Sequence, residues 1–284
     1  MFSMNKLSTA KRVQIVKALV EGNSLRSTSR MVGVSINTVT KLLVDLGAAC
    51  EAFHDEHVRN VPAQRVQADE IWSFCYARRD NVPDELKGVF GYGDLWTWVG
   101  QCADSKLVLS WHVGRRDAQT AYPFMRDLAS RVSTRVQLTT DGLHAYLEAV
   151  DAAFDADVDY ARLIKVYGND PNAEKRYTPP VVVETKVQVV SGDPAIEHIS
   201  TSHIERQNLQ MRRSMRRFTR LTNGHSKKVE NHEHALALHY MHYNFGRSQK
   251  ALGGSPAMAA GLADHVWSVE EIIGLLDAAE NKAA

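Results

Sequence analysis

Apolar positions near the start of the chain recur with the period of an α-helix. One apolar face spans about 13–20, a short helix is expected over about 25–31, and a third runs from 35 to 47. Ser35 is a favourable N-cap for the third helix, and Gly33 suits the turn before it. Two helices joined by a tight, glycine-containing turn are typical of a helix-turn-helix.

The period changes to two after residues 48–64, which show no clear pattern and predict a linker. Alternating apolar and polar side chains then predict three strands joined as an antiparallel meander, followed by a helix, a fourth strand, a helix and a fifth strand. The predicted elements cover 65–79, 95–104, 106–116, 118–132, 135–142, 143–154 and 159–168.

The rest of the chain is expected to be mainly helical. Residues 168–200 are rich in Pro, Asn and Val and are expected to be irregular, and helices are predicted over about 202–218, 226–245 and 268–280. The element order predicts an α/β fold: an RNase H-like (retroviral integrase-type) mixed five-stranded sheet with helices, preceded by an all-α helix-turn-helix domain. The expected domains are 1–47 (helix-turn-helix), 65–250 (RNase H-like) and 251–284 (helical tail), with the linker at 48–64.

Charge is nearly balanced over the whole chain but not along it. The 284 residues include 34 Lys and Arg against 33 Asp and Glu, a net charge of +1 that does not by itself indicate a nucleic-acid partner. Residues 1–47 nevertheless carry seven basic residues against two acidic ones, and from Arg206 to Lys228 there are eight basic residues and no acidic one. These two basic segments indicate where an anionic partner would bind.

Cysteine usage and hydropathy indicate the solubility and the cellular compartment to expect. The three cysteines, Cys50, Cys75 and Cys102, are widely spaced without a C-x-x-C pair, which fits neither a disulfide framework nor a zinc ribbon. The first residues lack an apolar signal core, and no run of about 18 apolar residues suggests a membrane span. A soluble protein of the reducing cytoplasm, with no membrane partner, is therefore expected.

Three acidic residues stand at positions where the expected sheet would bring them together. Asp69 lies in the first strand, Asp141 ends the fourth strand, which pairs beside it, and Glu205 begins a helix that can pack on the sheet. Carboxylate oxygens are the ligands that Mg²⁺ prefers, and a pair of such ions activates an attacking oxygen and stabilises a leaving one in phosphodiester chemistry. Glu205 would then be a metal ligand at the head of a basic helix.

Each of these carboxylates also has an ordinary structural interpretation. Asp141 suits a helix N-cap, and Glu205 three residues after Ser202 matches a capping box. Asp69 would simply be solvated on an edge strand. Glu70 should point to the opposite face of the strand, although a one-residue shift in register would exchange it with Asp69. Asp104, at the end of a neighbouring strand, is the reserve ligand.

Polar and basic side chains of the two basic segments are the candidate DNA contacts. In the predicted recognition helix Asn37, Thr38 and Thr40 would face base edges, while Lys41 and Arg30 would meet phosphates. The arginines after Glu205 would follow the phosphate backbone; they are Arg206, Arg212, Arg213, Arg216, Arg217 and Arg220. The alternatives are a three-helix bundle without a ligand and a solvated basic helix face.

Several stretches carry a family resemblance. "QADEIWSF", "TTDGLHAY", "SPAMAAGLADHVWSVEEI" and, most specifically, the block from Ser202 to Arg247 resemble the DDE transposases of bacterial insertion sequences, of the insertion-sequence-one type. The resemblance implies an RNase H-like core, dependence on Mg²⁺ (for which Mn²⁺ can substitute) and an acidic triad of Asp69, Asp141 and Glu205. Some relatives carry a cysteine-based zinc motif before the helix-turn-helix, and this chain has none.

The resemblance also implies a function and partners. It implies a transposase that binds the terminal inverted repeats of an insertion sequence, as a homodimer or higher oligomer on paired DNA ends, and cleaves and joins double-stranded DNA at a target. Its expected place is the bacterial cytoplasm, in association with the nucleoid. Two alternatives stay open: a non-catalytic helix-turn-helix regulator, and an RNase H-like nuclease without sequence-specific end binding.

Overall fold

A six-stranded sheet lies at the centre of the protein in a computed structural model, which describes residues 7–168 and 181–283. The strand order is β3-β2-β1-β4-β5-β6, with β1 parallel to β4, β4 parallel to β5, and the other neighbours antiparallel. The fold is therefore mixed α/β, with the predicted meander and a central first strand beside the fourth. The strands are β1 (Arg65–Cys75), β2 (Gly93–Cys102), β3 (Val108–Gly114), β4 (Val136–Thr140), β5 (Val158–Gly168) and β6 (Val181–Ser191).

The prediction of five strands was wrong, because β6 lies in the stretch that was expected to be irregular. Its described residues read VVVETKVQVVS, a run of β-branched residues interrupted by single polar ones, which suits a strand. It pairs antiparallel with β5 and ends the sheet on that side. The rest of the irregular stretch is split: residues 169–180 lie outside the described residues, and 192–200 contain only one short 3₁₀ turn.

Three helices form the start of the described chain, as the pattern predicts. They are α1 (Thr9–Val20), α2 (Leu25–Val32) and α3 (Ile36–His57). Each is capped by a serine side chain that accepts a hydrogen bond from a backbone N–H of the first turn. Gly33 adopts φ 68° between α2 and α3, a left-handed conformation that glycine reaches without strain. The two helices meet at 115°, within the range of helix-turn-helix units.

The predicted end of the third helix at Gly47 was wrong. The helix continues to His57, so residues 48–57 are helical. Gly47 serves close packing instead of termination: a Cβ added there would lie 2.5 Å from the Cβ of His234 on a neighbouring helix. A glycine that permits two helix backbones to approach has the same sequence appearance as a C-cap.

Helices cover both faces of the sheet. Two of them, α4 (Ala118–Arg131) and α5 (Ala145–Phe154), lie on one face, where Leu128 packs over Gly100 of β2. On the other face lies α6 (Ser202–Ser214), whose first turn donates two backbone N–H bonds to the Gln67 side chain of β1. Alternate residues of β1 therefore face different helices.

The two helices predicted over 202–218 and 226–245 are each shorter than expected. After α6 the chain makes a short 3₁₀ turn, Arg216–Phe218. The next helix, α7 (Val229–Met241), ends in a π-helical turn at 242–246 and packs along α3. The predicted boundaries fail here because apolar periodicity continues through turns that are not α-helical.

The C-terminal segment folds back onto the N-terminal helices. After the short α8 (Pro256–Ala259), α9 (Val269–Ala283) contacts α1 and α3, and Arg12 on α1 forms an ion pair with Asp277 at 2.8 Å. Among the described helices no single one is long and apolar enough to cross a membrane, and α2 with α3 reaches that composition only as a bent pair. The domain boundaries proposed from the sequence remain predictions.

Candidate metal centre and nucleic-acid interface

The register of the sheet places two of the predicted carboxylates side by side. Ala68 of β1 is paired with Thr140 of β4, and these strands run parallel. Asp69 is the next residue of β1 and Asp141 directly follows the end of β4, so they stand at the same level on neighbouring chain segments about 4.8 Å apart. The central position of β1 explains why two segments 72 residues apart meet here.

A third carboxylate joins this pair, and it is Glu70. One ligand oxygen from each of Asp69, Glu70 and Asp141 lies within 4.8 Å of the other two. The Asp69 carboxylate accepts a hydrogen bond from Asn208 of α6 at 2.8 Å, so it lies on the α6 side of the sheet. We call Asp69, Glu70 and Asp141 the acidic cluster.

Glu70 points toward the opposite face, as alternation along a strand requires. Its carboxylate accepts hydrogen bonds from Arg116 at 2.6 Å and from the Tyr146 hydroxyl at 3.0 Å. Arg116 also lies 3.7 Å from an Asp141 oxygen and stacks over the Trp96 ring at 4.9 Å. Arg116 thus links Glu70 to Asp141 and neutralises part of their charge.

The Asp141 carboxylate bonds to a backbone N–H two residues further along the chain and does not cap a helix. One carboxylate oxygen accepts a hydrogen bond from the Leu143 N–H at 2.8 Å, which is an Asx-turn contact. The following helix, α5, has His144 at its N-cap position with no side-chain bond there. The second oxygen of Asp141 is directed toward Arg116, and the side chain is about one-third exposed.

The electrostatics of the acidic cluster indicate negative charge that Arg116 compensates only in part. Burial, together with the charges of Glu70 and Asp141, raises the pKa of Asp69 to about 8. Burial and the charge of Asp141 also raise the pKa of Glu70, against the opposing effect of Arg116. The Asn208 side-chain oxygen beside Asp69 is buried without a hydrogen-bond partner. Oxygen ligands, excess negative charge and an unpaired acceptor all suit a hydrated divalent cation such as Mg²⁺.

The raised pKa of Asp69 predicts how stability depends on pH without metal. Between its ordinary pKa of 3.8 and about 8, folded Asp69 holds a proton that the unfolded chain has released. The free energy of unfolding should therefore fall as pH rises through this interval. We expect Asp69→Asn to flatten that decline in urea melts between pH 5 and 9, leaving the variant more stable than wild type at pH 8.

A control and a metal titration complete this experiment. Asp80→Asn removes a charge from an almost fully exposed carboxylate and should leave the pH profile of wild type unchanged. Mn²⁺ at pH 8 should stabilise wild type more than Asp69→Asn, because the bound cation replaces the proton. Identical pH profiles of stability for wild type and Asp69→Asn would contradict the raised pKa of Asp69.

Glu205, the third predicted ligand, is close to the acidic cluster but is not part of it. Its carboxylate accepts hydrogen bonds from Lys165 of β5 and from Thr201. It is near enough for its charge to contribute to the raised pKa of Asp69, and it lies one helical turn before Asn208. The predicted capping box with Ser202 is not formed, since the N-cap residue is Thr201 and makes no side-chain cap bond.

The reserve ligand has a different partner. Asp104, which follows β2, forms an ion pair with Arg65, the first residue of β1. It does not join the acidic cluster in the part of the chain that the structure describes.

Helix α3 presents the predicted base-reading residues near its N-terminus. Asn37 and Lys41 are exposed, whereas Thr38 and Thr40 are half-buried. The two threonine hydroxyls already bond within the helix, Thr38 with the Ser35 hydroxyl at 2.8 Å and Thr40 to a backbone carbonyl at 2.9 Å. Lys41 pairs with Asp45 at 2.6 Å. Only Asn37 therefore offers a polar group with no bond to another described residue.

The arginines of the second basic segment divide into two groups. Arg206, Arg213, Arg216 and Arg220 are exposed. Arg212 is half-buried and donates to the Phe218 carbonyl at 3.0 Å. Arg217 donates to the Ser226 hydroxyl and the Asn231 carbonyl, both at 2.9 Å, and burial lowers its pKa to about 10. The Arg217 guanidinium therefore fixes the loop before α7, and its contact with DNA remains a prediction.

A cleft of about 860 Å³ separates the N-terminal helices from the segment after α6. We call it the basic cleft, because six Lys or Arg residues and no Asp or Glu line it: Arg26, Arg30, Arg78, Arg216, Arg217 and Lys227. Arg26 and Arg30 come from α2, whereas Arg78 follows β1 and the other three lie between α6 and α7. Unbalanced positive charge along a concave surface raises the local concentration of anions.

Sequence reasoning missed Arg116, Tyr146, Lys165, Arg26 and Arg78. Arg116 is the last residue of the predicted third strand, and that position at a strand end was the one available signal for it. Arg26 belongs to the basic segment 1–47, which was its signal. The other three carry no local signal, because their roles depend on which strands and helices become neighbours.

Comparisons with known proteins add a distant likeness. No protein-family model and no curated protein matches the sequence. Part of the chain aligns with solved structures of the Mos1 transposase. The Mos1 strand transfer complex aligns at 14% identity and a TM-score of 0.25, over 56% of this chain and 59% of that one. The Mos1 transposase paired-end complex with left transposon end aligns at 12% identity and the same TM-score, over 56% and 60%. The chain thus spans about three-fifths of those chains.

Proposed function

We propose that the protein is a DDE transposase of a bacterial insertion sequence, of the insertion-sequence-one type, with an RNase H-like catalytic core. In this proposal it binds the terminal inverted repeats of the element and catalyses metal-dependent cleavage and strand transfer of double-stranded DNA. It acts in the bacterial cytoplasm on nucleoid DNA, with two or more copies pairing the element ends.

The observation that carries the proposal is the adjacency of Asp69 and Asp141 beside a basic helix. The two carboxylates come from neighbouring parallel strands, and α6, which contacts Asp69 through Asn208, leads directly to the exposed arginines. From Asn208 to Ser214 at the rim of the basic cleft, α6 rises about 9 Å. Phosphate contacts and reactive carboxylates therefore lie within the reach of one short piece of DNA.

Asp69 and Asp141 would hold divalent cations, with Glu205 as the third ligand and Glu70 as the nearest alternative. When bound, Mg²⁺ or Mn²⁺ supplies Lewis acidity and lowers the pKa of a coordinated water. The donor set fits, because it consists of carboxylate oxygens whose charge is only partly balanced by Arg116. Glu205 is 44% exposed in its pairing with Lys165, so its side chain has room to turn toward Asp69.

The other side chains at the site position these carboxylates. Asn208 orients Asp69, the Leu143 N–H orients Asp141, and Arg116 with Tyr146 fixes Glu70. In the proposed first step a water oxygen attacks phosphorus at the element end and the 3′-oxygen leaves as a hydroxyl. That 3′-hydroxyl then attacks the phosphorus of a target phosphodiester, the bond from this phosphorus to the target strand's 3′-oxygen breaks, and the departing oxygen takes the proton as a new 3′-hydroxyl. Neither step needs a covalent protein intermediate.

The experiment that tests the function uses a labelled fragment containing the gene and its natural flanks. The fragment is incubated with the protein and Mg²⁺ or Mn²⁺, and cleavage and joining are mapped. Metal-dependent cuts at fixed flank positions, followed by joining to a target, are the expected result. Specific binding without cleavage would instead indicate a regulator, and cleavage without end specificity would indicate a nuclease.

Phosphate contacts by the exposed arginines predict a change in salt dependence. The slope of log K against log salt is negative. Arg213→Ala combined with Arg216→Ala should make it shallower by about 1.8, because each lost phosphate contact removes about 0.9. The measurement is fluorescence anisotropy with flank DNA from 50 to 200 mM salt. Arg126→Ala, on an exposed part of α4, is the control. An unchanged slope in the double variant would mean that these arginines do not contact phosphate and form a solvated surface.

A further inference from the structure

We propose that β6 is a docking surface for a second copy of this chain, which adds its own β6 antiparallel across the open edge of the sheet. The pairing joins two six-stranded sheets into one continuous sheet. It requires neither metal nor DNA, so its test is independent of the proposed chemistry.

The edge strand is open and apolar. Among the described strands only β5 pairs with β6, which leaves the backbone N–H and C=O groups of the other edge available. Five valines of this strand are each at least 40% exposed: Val182, Val183, Val187, Val189 and Val190. An exposed edge with this composition is a template for strand addition.

The charges on β6 select a second copy as the partner and fix one register. Glu184 and Lys186 flank Thr185, form an ion pair with each other along the strand at 3.5 Å and are both more than half exposed. If two β6 strands pair antiparallel about a two-fold axis at Thr185, each Glu184 lies opposite the partner's Lys186, and each Val183 opposite the partner's Val187. Opposite charges directly across a strand pair are favourable.

Neighbouring registers are disfavoured by the same residues. A two-residue shift in one direction places Glu184 opposite its own copy, and in the other direction Lys186 opposite its own copy. Like charges directly opposite each other are destabilising. A one-residue shift moves every side chain to the other face and separates the charges. The strand is also regularly paired with β5 from Glu184 to Val189, between two bulges, so the central residues are presented in extended form.

A cysteine placed on the axis tests the register. In an antiparallel pair opposite Cα atoms lie about 4.5–5.5 Å apart, within the range of a disulfide. Thr185→Cys should therefore give a disulfide-linked dimer under mild oxidation. Val189→Cys, on the same face, would lie about 27 Å from its copy and should not cross-link. The three native cysteines are buried and should not interfere.

A charge exchange tests the attraction. We expect wild type to dimerise reversibly in sedimentation equilibrium without DNA. Glu184→Lys alone or Lys186→Glu alone should weaken the dimer by about tenfold, and the double variant should recover it. A monomer at every concentration up to about 100 μM, single variants that dimerise like wild type, or equal cross-linking at 185 and 189 would overturn the proposal.

Discussion

Asp141→Asn is expected to lose metal-dependent cleavage and strand transfer by about a thousandfold, or about 4 kcal/mol of transition-state stabilisation. The carboxylate stands beside Asp69 at the centre of the sheet, and its amide replacement removes one negative charge from the cation site. The Leu143 N–H bond can still be accepted by the amide oxygen, so the local turn should be preserved. Initial rates on labelled flank DNA, with Mg²⁺ and with Mn²⁺, measure the loss.

The controls separate chemistry from binding and folding. DNA affinity of Asp141→Asn should equal that of wild type, because the exposed arginines and α3 are unchanged. Asp151→Asn, on the exposed side of α5, removes the same charge away from the cluster and should retain full activity. Cleavage by Asp141→Asn at the wild-type rate would show that Asp141 is not a ligand of the catalytic cations.

The second large effect is expected in the rate of metal-dependent cleavage by Glu205→Gln. Comparing it with the rate of Glu70→Gln decides which residue is the third ligand. If Glu205 turns from Lys165 to the cations when DNA and metal bind, Glu205→Gln should reduce the rate of cleavage by about a thousandfold. Glu70→Gln should then slow it by no more than about tenfold, as expected for a residue that positions its neighbours through Arg116.

The opposite pattern would assign the third ligand to Glu70, as the geometry of the metal-free cluster allows. Mn²⁺ affinity, measured by calorimetry, provides a second readout that does not depend on catalysis. Glu148→Gln, an exposed carboxylate on α5, is the matched control for both variants. Loss of cleavage in neither variant would contradict a three-carboxylate site.

Local pattern predicted much of the architecture because the relevant forces act over a few residues. Serine caps and Gly33 marked the starts and the turn of the N-terminal helices, and alternation marked the first five strands. The pattern failed at Gly47, where helix packing and helix termination use the same residue. It failed again at β6, where the valine-rich strand lies in a stretch assigned by its Pro and Asn content.

The sequence by itself determined the mixed α/β class, the central β1 and the candidate carboxylates Asp69 and Asp141, because strand order follows from the succession of elements and connection rules. Only the tertiary structure decided that Glu70 joins them, that Glu205 is paired with Lys165, and that arginines from α2 and from the segment after α6 line one cleft. These relations depend on side-chain direction and on contacts between segments far apart in the chain. Local periodicity carries no information about such contacts.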